Sequence, residues 1–154
     1  MELIDTIYIP KSTEKYGFLN PFSKVEDGFT VNGLVYNSAE HYFQSKKFEF
    51  TDSSFSEEVR KAKDSNLANR LGTSKNGILR PDWDAVKCDI MYEANWEKFS
   101  QKEDLKKMLL ETEDKKISQL SRNEFFWSVS SEGYGNDLLG KILMKVRENL
   151  KKNN

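Results

Sequence analysis

A carboxylate, an amide and an amine recur at i, i+4 and i+7 in the stretch Ser38-Ala39-Glu40-His41-Tyr42-Phe43-Gln44-Ser45-Lys46-Lys47-Phe48. On a helix of about 3.6 residues per turn, Glu40, Gln44 and Lys47 share one stripe. An acid beside an amine can hold or move a proton, and a lysine withdrawn from water can also act as a nucleophile. Tyr42, Phe43 and Phe48 are bulky enough to bury much of such a helix, which would turn the polar stripe toward a cleft. The same spacing also describes an exposed face with a weak Glu–Lys contact, and from spacing alone that is the commoner reading. His41 stands next to Glu40, but neighbouring helix positions point about 100° apart, so a packed, hydrogen-bonded histidine is expected rather than a partner in catalysis.

The elements around this stretch can be read from period and punctuation. Leu3 to Ile9 alternates as an edge strand stopped by Pro10. Residues 17–23 (GFLNPFS) suggest a loop with buried Phe anchors. Phe29 to Tyr36 reads as a hairpin, because Asn32-Gly33 suits the positive φ values of a type I′ turn. Ser38 is a plausible N-cap for a helix from Ala39 to about Phe48. Helices are expected near 54–63 and 65–71, the second ended by Gly72. Pro81-Asp82 opens a long helix to about Phe99, with an apolar stripe of Trp83, Val86, Ile90 and Ala94 and with Met91 and Trp96 on its flanks. Cys88 lies within it and is expected to be inert. A helix over 102–111 follows, then a short strand at Ile117–Leu120. A glycine-bearing loop over 128–137 leads to a last helix carrying Leu139, Ile142, Leu143, Val146 and Leu150. The fold class is α+β, mostly helical, with a small β-sheet or hairpin.

The chain has 154 residues, with 24 Lys+Arg against 25 Asp+Glu and a net charge of −1. Its 10 Phe, 6 Tyr and 3 Trp supply a core that makes disorder implausible. The length fits one domain, over residues 1–150, with Lys151–Asn154 a frayed tail. No run of about 18 apolar residues and no signal-peptide pattern is present, and the lone cysteine cannot form an internal disulfide. A cytoplasmic protein without a membrane partner is expected. One Cys and one His exclude a Cys/His zinc site, although carboxylates alone could still hold Mg²⁺. No cofactor and no metal ligand are assigned, and protein partners stay open.

The order GFLNPFS, NGLVYNSAEHYFQSKKF, LRPDW, a tryptophan-containing loop and LGKILMKVR resembles the NADAR, or YbiA-like, family from about Tyr16 to Leu150. AEHYFQSKKF is the strongest element; LRPDW (Leu79–Trp83) and LGKILMKVR (Leu139–Arg147) support it in the expected order. The resemblance implies a YbiA-like domain with N-glycosidase activity on a ribose N-linked to a heterocycle or amine. It points to two substrates: phosphoribosylamino intermediates of riboflavin synthesis, and ADP-ribosyl-guanine in nucleic acid. Breaking such a C1–N bond builds oxocarbenium-like charge on the sugar, which a carboxylate can stabilise. Glu40 matches the family glutamate and is the first candidate for that role. Lys47 is the candidate for an alternative, attack by an amine on C1 with a Schiff-base adduct. An internal polar pair that only positions substrate is the plainer role for both.

Other residues are candidates for binding. Gln44 shares the stripe. Trp127 and Trp83 could stack on the heterocycle, although Trp83 is better explained as core. Arg80, beside a helix N-terminus, could meet a phosphate, with Arg70 a weaker choice. Asn136 or Asp137 could bond ribose hydroxyls or cap the last helix. The chain also departs from the family pattern, in which a Glu, an Asp and a Gly flank the second tryptophan motif. Gln119, Glu124 and Ser128 stand there. Glu124 keeps its charge and stays a catalytic candidate, whereas Gln119 cannot hold a proton. These departures suit altered substrate choice or an alternative, a catalytically weak domain that senses an ADP-ribose-type nucleotide. A remoter option is nucleic-acid binding through Lys46, Lys47, Arg60, Lys61 and Lys63.

Overall fold

The computed structural model describes residues 5–10 and 14–153. Among them are six α-helices and two two-stranded sheets, a mostly helical α+β fold. The chain divides into two units, Pro21–Gln101 and the pairing of Met1–Asn20 with Lys102–Asn154.

In the second of these, β1 (Thr6–Tyr8) pairs in parallel with β4 (Lys116–Ser118), Ile7 opposite Ile117. β1 is shorter than the strand expected over Leu3–Ile9, of which Leu3 and Ile4 lie outside the described residues. Leu120, expected inside β4, instead makes an isolated bridge to Val129. The helices α5 (Glu103–Leu110) and α6 (Leu138–Lys152) pack together, and α6 also packs on β4. Leu109, Ile117, Leu139, Leu143, Val146 and Leu150 are buried there, so the expected apolar face of the last helix does face a core.

The Pro21–Gln101 unit holds the other elements. β2 (Phe29–Val31) and β3 (Leu34–Tyr36) form the antiparallel hairpin expected from Asn32-Gly33, whose φ values are 51° and 81°. Both lie in the left-handed region that a type I′ turn requires. Four helices follow: α1 (Ala39–Lys46), α2 (Ser53–Arg60), α3 (Ser65–Thr73) and α4 (Trp83–Gln101). Each of the first three starts on a side-chain cap, and the Ser38, Asp52 and Asp64 oxygens accept from the backbone N–H of His41, Phe55 and Leu67.

α2, α3, α4 and β3 all pack against α1, and every residue of α1 is buried. The exposed-face reading of its polar stripe is therefore overturned. A helix surrounded on several sides has no solvent face, so its polar groups must find partners or line a cavity. Phe48, Val59, Ala62 and Ala68 form a core cluster beside it, joined by Phe55, Leu67 and Leu71. Phe29, Tyr36 and Tyr42 make a second, aromatic contact, with Tyr36 and Tyr42 ring centroids 4.9 Å apart.

Gly72 does not end α3 as expected. It lies inside the helix, which runs on to Thr73 and caps at Ser74, and its φ is not positive. A Cβ built there would run into the side chain of Gln44, coming within 2.8 Å of its Cδ and closer still to its Oε1. The glycine is a spacer that lets α3 close on α1, not a helix stop.

Candidate active site

Glu40 is 4% exposed, and its carboxylate is held from two helices. Gln44 Nε2, one turn along α1, donates to Oε2 at 2.9 Å, and Asn69 Nδ2 of α3 donates to the same oxygen at 3.0 Å. Burial pushes the Glu40 acid above the usual carboxylate range; the two N–H donors and the nearby Lys47 ammonium pull the other way and do not cancel it. Gln44 is 3% exposed, and its Oε1, turned toward Gly72, has no hydrogen-bond partner among the described residues. Asn69 was not expected from the sequence. It is 29 positions from Glu40, and the signal available was its place three residues before Gly72 on one face of α3.

Lys47 follows α1 as its C-cap, still in helical conformation, so the stripe from Glu40 to Lys47 is kept although the helix stops short of the expected Phe48. Its ammonium donates to the Gly72 carbonyl at 3.2 Å and sits 5.6 Å from the ring centre of Trp83 and 5.9 Å from that of Phe43. Burial lowers its pKa, the Glu40 charge opposes that, and Lys87 of α4 adds to it. Lys47, Gly72, Ser74, Lys75, Leu79 and Trp83 are among the residues lining a cavity of about 380 Å³. Glu40 does not line it. Its charge nevertheless acts on Lys47.

Trp83 is 8% exposed and meets Phe43 edge-on at 5.0 Å. It is core and cavity wall at once. Arg80 is placed by its backbone N–H, which donates to the Lys47 carbonyl at 2.9 Å. Its guanidinium grips Asp82 through two bonds, Nε–Oδ1 at 2.6 Å and Nη2–Oδ2 at 3.1 Å, and lies 5.4 Å over the Phe50 ring. The fork that would clasp a phosphate is thus occupied by a carboxylate, while Arg70 is exposed on α3.

His41 is as packed as expected. Nε2 meets the Ala62 carbonyl at 3.0 Å and Nδ1 meets Ser38 Oγ at 2.7 Å, so the ring is fixed as the tautomer protonated on Nε2. Burial lowers its pKa. Part of the expected basic patch is paired with acids, Lys46 with Glu49 and both Arg60 and Lys61 with Glu57.

The remaining candidates belong to the other unit. Glu124 folds back on its own loop, Oε1 accepting from the Phe126 N–H at 2.7 Å and the Trp127 N–H at 2.6 Å. Trp127 is half-buried and meets Phe126 edge-on. Asn136 is exposed, its backbone N–H donating to the Phe125 carbonyl. Asp137 occupies the N-cap position of α6 at φ 52°, yet its side chain caps nothing there. It turns to β4 instead, accepting from Ser118 Oγ at 2.6 Å and the Gln119 N–H at 3.0 Å. Gln119 and Ser128, two of the departures from the family pattern, bond each other: Ser128 Oγ donates to Gln119 Oε1 at 3.0 Å.

Among the described residues no group of three or more His, Cys, Asp and Glu side chains could hold a metal ion, and no helix is long and apolar enough to cross a membrane. The YbiA N-glycosidase of Escherichia coli is 35% identical over 120 residues, 78% of this chain and 74% of that protein. An N-glycosidase of Nostoc punctiforme is 34% identical over 147 residues, 95% of this chain and 93% of that one. A riboflavin biosynthesis protein of Vibrio vulnificus is 36% identical over 144 residues, and the chain spans only 38% of its length. The NMR structure of Escherichia coli YbiA superposes with a TM-score of 0.86 at 30% identity, covering 99% of this chain and 89% of that one. The NADAR domain model matches residues 7–151. With nearly the whole sequence matched and the α1 stripe set against a cavity, the chain belongs to the NADAR domain family.

Proposed function

We propose that this protein is an N-glycosidase that hydrolyses the C1–N bond of a phosphate-bearing N-riboside. The observation that carries the reading is Lys47 on a cavity wall, within reach of the Glu40 charge. The names of the Escherichia coli and Nostoc relatives support the reaction class.

The amine route fits this placement. Withdrawal from water raises the share of neutral Lys47, the form that attacks. Its lone pair bonds to C1 as the C1–N pair departs with the heterocycle, and the proton shed by Nζ passes to the leaving nitrogen. The Nζ lone pair then opens the ring, O4′ takes a proton from the Glu40 acid by way of water, and an iminium joins Nζ to C1. Water adds to C1 and returns a proton to Glu40, and the carbinolamine collapses to the free aldehyde sugar and the amine. Two of these states are cationic at or next to Nζ, and ionised Glu40 favours both. Direct attack by water, with Glu40 alone facing the oxocarbenium charge, is the other route, and Glu40 does not line the cavity that Lys47 lines.

Two substrates are proposed, ADP-ribosyl-guanine in nucleic acid and a phosphoribosylamino intermediate of riboflavin synthesis; the name of the Vibrio relative supports the second. Incubation with each, followed by mass spectrometry of the freed sugar phosphate, decides between them. Release from neither sinks the reading. A second reading, a domain that senses an ADP-ribose-type nucleotide, is favoured by Gln119, whose amide bonds Ser128 in place of an acid. Tight ADP-ribose binding without turnover would select it.

A further inference from the structure

We infer that Asn69 is a positioning residue for Glu40: together with Gln44 it saturates one carboxyl oxygen, Oε2, and so makes Oε1 the oxygen that carries and exchanges the proton. The inference deepens the proposed N-glycosidase reading and rests on it for its catalytic consequence, though not for its geometry.

A carboxylate oxygen accepts about two good hydrogen bonds, one for each lone pair. Oε2 has both filled, by Gln44 Nε2 at 2.9 Å and Asn69 Nδ2 at 3.0 Å. Among the described residues no donor reaches Oε1. A proton arriving at Glu40 therefore has one place to sit, and two anchors on one oxygen, from two different helices, stop the carboxyl from rotating to exchange its edges. An acid held merely as a packing element would need no such aim; an acid that must trade a proton in one direction does.

The clamp depends on how close α3 comes to α1. Asn69 and Gly72 share a face of α3, and the missing Cβ at Gly72 is what lets that face reach Gln44. The other charged groups in play are Lys47, which acts on Glu40, and Lys87 of α4, which acts on Lys47; Asn69 itself is neutral, so its effect on Glu40 is that of a hydrogen-bond donor. Asn69 also stabilises the ionised form, and its loss must raise the pH at which Glu40 gives up its proton.

The test compares Asn69→Ala and the isosteric Asn69→Asp with the parent by two measurements. The first is the pH dependence of kcat and of kcat/KM on whichever riboside is turned over. The second is the titration of the Glu40 carboxyl by carbon NMR, assigned by its disappearance in Glu40→Gln, which needs no turnover. Both variants are expected to move the Glu40 titration upward by about one pH unit, and to lower kcat about 10- to 100-fold with KM within about threefold. Asn69→Asp, which places a second acid on Oε2, should move it furthest. An unmoved Glu40 titration in a folded variant overturns the inference, as does a loss of activity that falls on KM alone. Should the parent turn over no riboside, the N-glycosidase reading fails, while the titration still decides the clamp.

Discussion

Gly72→Ala is the substitution that probes the site most directly, because a methyl group is placed where the structure has none to spare. In an unhindered helix the change would stabilise, by roughly 1 kcal/mol of helix propensity. Here the new Cβ would stand 2.7 Å from Gln44 Cβ and 2.8 Å from its Cδ, well inside contact distance. Gln44 is 3% exposed and its Cβ is fixed by the α1 backbone, so α3 must back away from α1 and draw the Asn69 amide off Glu40. Overpacking of this kind costs about 1–3 kcal/mol. Loss of one charge-assisted bond to the buried carboxylate costs a further ~1.5–3 kcal/mol. Less the propensity gain, the net destabilisation is about 1.5–5 kcal/mol, and at roughly 2–4 °C per kcal/mol for a chain of this size Tm should fall by about 3–20 °C. Thermal unfolding followed by circular dichroism measures it. The double mutant Gly72→Ala/Gln44→Gly supplies the control, since Gln44→Ala would keep the Cβ that stands 2.7 Å away: with the whole side chain gone, adding the methyl should cost nothing or stabilise slightly, a strong positive coupling between the two sites. A Gly72→Ala protein at least as stable as the parent would refute the spacer role, and with it the account of how Asn69 reaches Glu40.

Four other outcomes are expected. Glu40→Gln should abolish turnover while leaving nucleotide affinity within about tenfold, the pattern of lost transition-state stabilisation, as checked by kinetics and calorimetry. Because the folded pKa of Glu40 is raised, its buried charge costs stability only as pH climbs from the ordinary carboxylate value, about 4.3, through the raised one. The Tm advantage of Glu40→Gln should therefore be absent in acid, grow over that window and stay level above it; an advantage independent of pH would contradict the assignment. Borohydride added during turnover should trap a sugar adduct that Lys47→Ala lacks, and an active parent that yields no adduct would leave only the water route. Glu124→Ala should speed amide exchange at Phe126 and Trp127, whereas Glu124→Gln, which keeps an acceptor, should not.

Much of the site was legible because it is local. Ser38 caps α1, and Glu40, Gln44 and Lys47 keep their common stripe, since caps and helical period are settled within a few residues. The hairpin at Asn32-Gly33 was legible for the same reason. Some short-range partners nevertheless escaped notice. Arg80 gives its fork to Asp82 two residues on, and Glu124 gives its carboxylate to the N–H groups of its own loop. Residue type shows that such groups can bind, but not whether a neighbour has already been bound.

The sequence by itself determined the α+β class, the helix that carries an acid and an amine, and the family to which both belong, because periodicity, capping and motif order are properties of the chain read in line. Only the tertiary structure decided that the helix is buried on every side, that Asn69 completes the acid's clamp, that Gly72 is a spacer, and that Asp137 ties β4 instead of capping α6. Each of those depends on two segments far apart in sequence meeting at contact distance, and that distance is set by packing, which no single stretch of residues encodes.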